Sequence, residues 1–182
     1  MAVAEISQSN ALFRLTLLAT GGTIEKTYDA HAGALTLDVP VIEDLLDTLW
    51  HPDIAIQVSR VMACDSLDMD DDDRRQILEA AREIIDADAA DAVIVTHGTD
   101  TLPDTARVLA RGLSPHRVPV VLTGAMRPYR VAESDARQNV AQAIMAARIA
   151  APGVYGVCHG RMIAAEHIAK DAARLTFVDT RR

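Results

Sequence analysis

An α/β domain, with a doubly wound, mostly parallel sheet and helices on both faces, is the fold class that this 182-residue sequence predicts. Three observations predict it. Continuous apolar runs such as "DAVIVT" and "VPVVLTG" read as strands buried on both faces, as parallel sheets require. Longer amphipathic segments separate these runs, as crossover helices do. Polar, often Gly-containing stretches follow the strands: "TGGT", "CDSLD", "THGTDT" and "TGAMRP". In sheets of the Rossmann or flavodoxin type, ligands bind at the carboxyl ends of the strands, near a switch in strand order.

Taken in order, "FRLTLLAT" is a first strand, followed by a Gly-containing loop and a short helix in "VPVIEDLLDTLW". "DIAIQVSRVMA" is the second strand. In "DDDDRRQILEAAREIIDAD", Ile77, Leu78, Ala81, Ile84 and Ile85 share one helical face, and the acidic first turn suits the positive end of the helix dipole. The strand "DAVIVT" leads to a helix from about 103 to 111, with Pro103 in its first turn. The strand "VPVVLTG" leads to an Ala-rich helix from about 133 to 150, and "GVYGVCHG" is the last clear strand. The sequence reads as a single domain over 1–182, with ends at about 1–11 and 179–182 read as flexible. No repeat, linker or low-complexity segment interrupts it.

Composition narrows the function. A net charge of −8 without any basic run argues against nucleic acid or anionic membrane as partner. Cys64 and Cys158 have no paired spacing, which fits a reducing compartment and offers no cysteine-based zinc site. The first apolar stretch is broken by Arg14 and too short to span a bilayer, so a cytoplasmic location is expected. Of 18 basic residues, 16 are Arg, and Lys26 and Lys170 are the two Lys. In an Arg-biased chain Lys170 reads less readily as generic surface charge, because Lys is the basic side chain that burial can neutralise.

Each polar cluster has a structural and a chemical reading. Thr20-Gly21-Gly22-Thr23 is either a tight turn or a place where backbone approaches a ligand. It lacks the spacing of a dinucleotide fingerprint or phosphate loop. Asp70 to Asp73 read as a solvated helix start, while Asp65 and Ser66 are open between turn and site. Either Asp100 or Thr101 can cap the following helix, but a cap explains one residue and not Thr96, His97, Thr99, Asp100 and Thr101 together. His97 alone is more often structural than catalytic. A lysine beside a Thr hydroxyl, steered by a carboxylate, can activate a weak nucleophile. Two threonines, a carboxylate and a lysine therefore suggest acyl chemistry through a hydroxyl nucleophile, with no metal or organic cofactor.

"LLATGGTIEK", "VIVTHGTDTLPDTA" and "PVVLTGAMRP" resemble, in order and spacing, the motifs of the bacterial-type L-asparaginase family. The likeness runs from about residue 12 to about 178, and in length the chain resembles the short, single-domain form. The resemblance implies a fold of the asparaginase N-terminal domain type and hydrolysis of L-asparagine to L-aspartate and ammonia. It implies Thr23 as primary nucleophile and Thr99, Asp100 and Lys170 as a second catalytic group. Ser66 would help hold the substrate carboxylate, Asp65 is a further substrate-binding position, Asp100 would lie near the substrate amino group, and the Ala125 carbonyl near the leaving amide. Gly22 and Gly98 are further substrate-binding positions, and backbone N–H groups of the Gly-rich turn close to Thr23 can face a developing oxyanion. Tyr28 takes the family's activating tyrosine role, although it follows Thr23 by only five residues. A homodimer or higher homo-oligomer is the family's usual assembly. A related amidase or glutaminase is the nearest alternative. A non-catalytic amino-acid-binding domain is the alternative from another class.

Overall fold

The computed structural model describes residues 12–37 and 39–181; residues 1–11 and 182, at the ends read as flexible, lie outside the described ones. Strand β1 (Phe13–Gly21) ends in a short 3-10 turn at Thr23–Glu25, and a small hairpin of β2 (Thr27–Asp29) and β3 (Ala34–Thr36) follows. Then come α1 (Ile42–Leu46), β4 (Ile54–Cys64) and α2 (Asp71–Asp86). The chain continues through β5 (Ala92–Thr96), α3 (Leu102–Gly112), β6 (Pro119–Thr123), α4 (Ala136–Ile149) and β7 (Gly153–Cys158). It closes with β8 (Arg161–Ala164), β9 (Ile168–Asp171) and β10 (Thr176–Asp179).

The main sheet has the order β4-β1-β5-β6-β7-β8, parallel through β7, with β8 added antiparallel at the edge. From β1 the chain builds outward to β4 on one side and then to β5 on the other. The strand order therefore switches at β1, and the loops after β1 and β5 border the same crevice.

Both faces of the sheet are covered. Leu15, Leu17 and Ala19 of β1 and Ile94 of β5 pack with Ile42 and Leu45 of α1 and Val140 and Ala143 of α4. On the other face Leu18, Val93 and Val95 meet Ile77 and Ala81 of α2 and Ala106 and Leu109 of α3. This is the doubly wound arrangement that continuous apolar strands require. Asp70 caps α2 by accepting from the Asp72 and Asp73 N–H groups, and Asp73 returns a bond to the Asp70 N–H, a full capping box. Helix α4 begins at Ala136 rather than near 133, because Glu133 has φ 58, outside helical space.

Past β7, where the sequence signals weaken, the chain still forms strands. The β9–β10 hairpin docks through Ile168 and Phe177, both almost fully buried against the second core. A Cβ on Gly156 would lie 2.1 Å from Ile168 Cδ1, so the glycine lets Ile168 of the hairpin pack directly on the β7 backbone. Lys170 lies two residues from Ile168 and opposite Phe177, so all three side chains share the docking face. The Thr180 N–H reaches the His167 carbonyl, and Arg181 pairs with Asp179. Among the described residues no helix is long and apolar enough to cross a membrane.

Candidate active site

The turn after β1 depends on its glycines. Gly21 and Gly22 have φ 96 and 76, and a Cβ on Gly22 would lie 2.3 Å from Gly98 N and 2.4 Å from Gly98 Cα. The Thr23 turn is therefore pressed against the Gly98 turn, backbone to backbone. The Gly22 N–H donates to the Cys64 carbonyl at 2.9 Å, which ties the same turn to the end of β4. Glu25, buried in this turn, accepts from the Gly21 N–H at 3.1 Å and pairs with Arg60 at 2.9 Å. Thr23 is half-buried at the head of the 3-10 turn.

In the loop after β5, Lys170 reaches in from β9. Its Nζ donates to Thr99 Oγ1 at 2.8 Å and to Asp100 Oδ1 at 2.8 Å, with 17% of its side chain exposed. Thr99 is buried, while Asp100 stands at the rim. Capping accounts for little of the polarity here. Thr101 occupies the N-cap of α3, but its hydroxyl donates to the Ser66 carbonyl at 2.8 Å and caps nothing. Asp100 is engaged by Lys170.

His97 is structural. Its Nδ1 faces the Gly98 carbonyl at 2.8 Å, which can only accept, so Nδ1 carries the proton; Nε2 then accepts from the Thr105 hydroxyl at 2.8 Å. Burial pushes its pKa down to about 4, which keeps the ring neutral.

The loop after β4 brings Asp65 and Ser66 to the same crevice. Ser66 is buried, and its Oγ has no hydrogen-bond partner among the described residues. A Cβ on Gly98 would lie 2.3 Å from that oxygen. A buried hydroxyl without a partner costs free energy, and a polar ligand in the crevice is one way to satisfy it. Asp65 has no such vacancy. Its Oδ2 pairs with Lys26 and its Oδ1 accepts from the Leu67 N–H at 3.0 Å. The hydrogen bond from Lys26, and then that from Leu67, hold its pKa below the ordinary carboxylate range. Lys26, the other lysine of the chain, thus lies at the site as well, a position that the Arg bias singled out but that carried no role.

Ala125, fully buried, follows Gly124 at the end of β6, and the Gly124 carbonyl accepts from Asn139 Nδ2 at 2.9 Å. Tyr28 is not drawn in. It is 67% exposed on β2 opposite Leu35 and makes no hydrogen bond to Thr23 or Lys170 among the described residues. A cavity of about 500 Å³ beside β8 and β10, lined by Arg161, Met162, Ile163, Arg174 and Asp179, contains none of these groups and no paired nucleophile and base.

Residues 14–177 match the family model described as "Asparaginase, N-terminal". The L-asparaginase of Thermococcus kodakarensis is 35% identical over 144 residues, 78% of this chain and 43% of that protein. A solved structure, "The thermostable L-asparaginase from Thermococcus kodakarensis", superposes with a TM-score of 0.82 at 29% identity, covering 92% of this chain and 51% of the other. The glutaminase-asparaginase of Pseudomonas aeruginosa is 30% identical over 148 residues, 79% of this chain and 40% of that protein. A glutamyl-tRNA(Gln) amidotransferase subunit of Methanococcus vannielii is 32% identical over 157 residues, 83% of this chain and 35% of that protein. The chain thus spans less than half the length of these three relatives.

Proposed function

The chain belongs to the asparaginase family, and from that premise we propose that it hydrolyses the side-chain amide of L-asparagine to L-aspartate and ammonia. The observation that carries this reading is the pair of 2.8 Å contacts from Lys170 to Thr99 and Asp100, beside the turn that presents Thr23. In the proposed reaction the Thr23 hydroxyl oxygen attacks the amide carbon, the C–N bond breaks, and the nitrogen leaves as ammonia with the proton that the hydroxyl gives up. Water then cleaves the acyl ester and restores Thr23. Thr99, polarised by Lys170 and steered by Asp100, handles the proton of the attacking hydroxyl or of that water. Since the Gly21 and Gly22 N–H groups are given to Glu25 and Cys64, the donors assigned to the developing oxyanion are the other backbone N–H groups of the turn beside Thr23, where preorganised donors count most. The unpartnered Ser66 hydroxyl supports a substrate carboxylate at this end of the crevice.

Ammonia release from L-asparagine tests the reading directly. Thr23→Ala is expected to lower kcat on the order of a thousandfold or more. A strong rate unaffected by that substitution would reject the nucleophile. The relative named as a glutaminase-asparaginase favours a second reading, in which the longer amide of glutamine is the substrate. One methylene is worth only about 1–3 kcal/mol of discrimination, so the ratio of kcat/KM for the two amides decides between them. The same proposal treats the chain as one asparaginase N-terminal-type domain that works in the cytoplasm as a homo-oligomer, which sedimentation of the purified protein checks.

A further inference from the structure

Asp135 stands at the N-cap of α4, yet its carboxylate does not cap the helix. It gathers the loop that contains Ala125 instead. Oδ2 accepts from the Met126 N–H at 3.0 Å, from Asn139 Nδ2 at 2.8 Å and from His159 Nε2 at 2.8 Å, and Oδ1 accepts from the Arg127 N–H at 3.0 Å. Burial would raise its pKa, but the Met126, His159 and Arg127 bonds outweigh burial and hold it low. Fully buried Asn139 completes the bracket: besides the Gly124 carbonyl it holds, its Oδ1 accepts from the His159 N–H at 3.0 Å.

The other nitrogen of His159 points elsewhere. Nδ1 lies 2.9 Å from Thr176 Oγ1 on β10. Thr176 pairs with Asp171, and the next pair along the hairpin is Phe177 with Lys170. One imidazole, on a backbone at φ 50, therefore bridges the Ala125 loop and the hairpin that delivers Lys170. With Nε2–H given to Asp135, Nδ1 accepts the Thr176 proton, and both contacts are satisfied by the neutral ring. Cys158 Sγ also lies within 4.8 Å of the Asp135 and His159 ligand atoms. Four donors already occupy the carboxylate, so the trio reads as a hydrogen-bond hub rather than a metal site.

We propose that His159 is a positioning residue, which through Thr176 sets the β9–β10 hairpin so that Lys170 meets Thr99 and Asp100, and through Asp135 locks the Ala125 loop to the same frame. The proposal rests on the reading of Lys170 as part of the catalytic group. Thr176→Val cuts the hairpin arm while keeping a β-branched strand residue, so the fold is retained.

The experiment compares wild type, Thr176→Val, Thr176→Ser, His159→Gln and the double variant Thr176→Val/His159→Gln. It reads kcat and KM for L-asparagine and L-glutamine, and amide hydrogen exchange of residues 168–179. Thr176→Val is expected to lower kcat about tenfold with KM within about twofold, the scale of a small misplacement of a catalytic group. Exchange in the hairpin should quicken while that of β1 and β5 stays as in wild type. Thr176→Ser should restore both, and the double variant should be no slower than the poorer single one. Wild-type kcat and wild-type exchange in Thr176→Val would overturn the proposal and leave the amidohydrolase reading standing. If wild type turns over neither amide, that reading fails, and the exchange pattern alone decides whether His159 holds the hairpin. Stoichiometric zinc in the purified wild type that Cys158→Ser removes would replace the hub by a metal site and also overturn it.

Discussion

Each lysine of this Arg-rich chain is tied to an aspartate at the crevice, Lys26 to Asp65 and Lys170 to Asp100, but the two pairs do different work. Lys170 has a hydroxyl within reach, and Lys26 donates to none among the described residues. Lys170→Arg keeps the charge and can keep a bond to Asp100, but a planar, bulkier guanidinium does not place a compact ammonium against both the Thr99 hydroxyl and the carboxylate. Turnover should therefore fall at least about a hundredfold, with asparagine binding much less affected, as steady-state kinetics and calorimetry would report. Lys26→Met instead strands a carboxylate whose side chain is only 27% exposed. It should cost about 1–3 kcal/mol of stability in urea, and the double change with Asp65→Asn should regain most of it. The polar surplus after β5 and the rarity of Lys marked Thr99, Asp100 and Lys170 as candidates, the family resemblance grouped them, and the fold places Lys170 against the other two. The Lys26–Asp65 pair and the Asp135–His159–Thr176 chain were not legible in the sequence, since they join residues 17 to 39 positions apart that only the finished fold makes neighbours. Tyr28 was placed by resemblance alone; it is exposed on its hairpin and makes no hydrogen bond to Thr23 among the described residues.

At the scale of elements, the site is made by loops that touch where side chains would forbid it. Gly22 has φ 76 and ψ −178, a region open essentially to glycine alone. Gly22→Ala adds a strained backbone, about 1–3 kcal/mol, to a Cβ placed 2.3 Å from Gly98 N. The expected outcome is a drop in the urea midpoint together with loss of turnover, because relief of the clash moves the Thr23 turn away from the Thr99 turn. Full activity in that variant would mean that the two turns need not touch. The five parallel strands and four helices were readable from apolar continuity and from helical spacing. The β2–β3 hairpin and the strands β8, β9 and β10 are three or four residues each, with mixed burial, and so carry no period long enough to read. Their pairing comes from docking, as Ile168 on Gly156 illustrates, and not from local preference.

For the whole molecule, acid sets two opposing trends. With a net charge of −8 and a pI near 5.1, the chain loses self-repulsion as pH falls toward 5, which by itself favours the compact state. His97 acts the other way. Its ring, neutral and buried between the Gly98 carbonyl and Thr105, takes a proton only near pH 4, whereas the unfolded chain takes it near 6.5. Between those values the unfolded state binds more protons, so stability falls as pH falls, by up to about 1.4 kcal/mol per unit and about 3 kcal/mol in all. Above pH 6.5 the contribution is fully present; below about 4 it is spent. Urea unfolding at pH 7, 5.5 and 4.5 should show this loss in wild type. His97→Asn, which keeps a polar group at the position but does not titrate, should be less stable at pH 7 and change less with pH. The difference between the two slopes cancels the self-repulsion that both proteins share. Parallel slopes would show that His97 protonates as easily in the fold as outside it, and would remove the neutral imidazole as the support under the Thr99 turn.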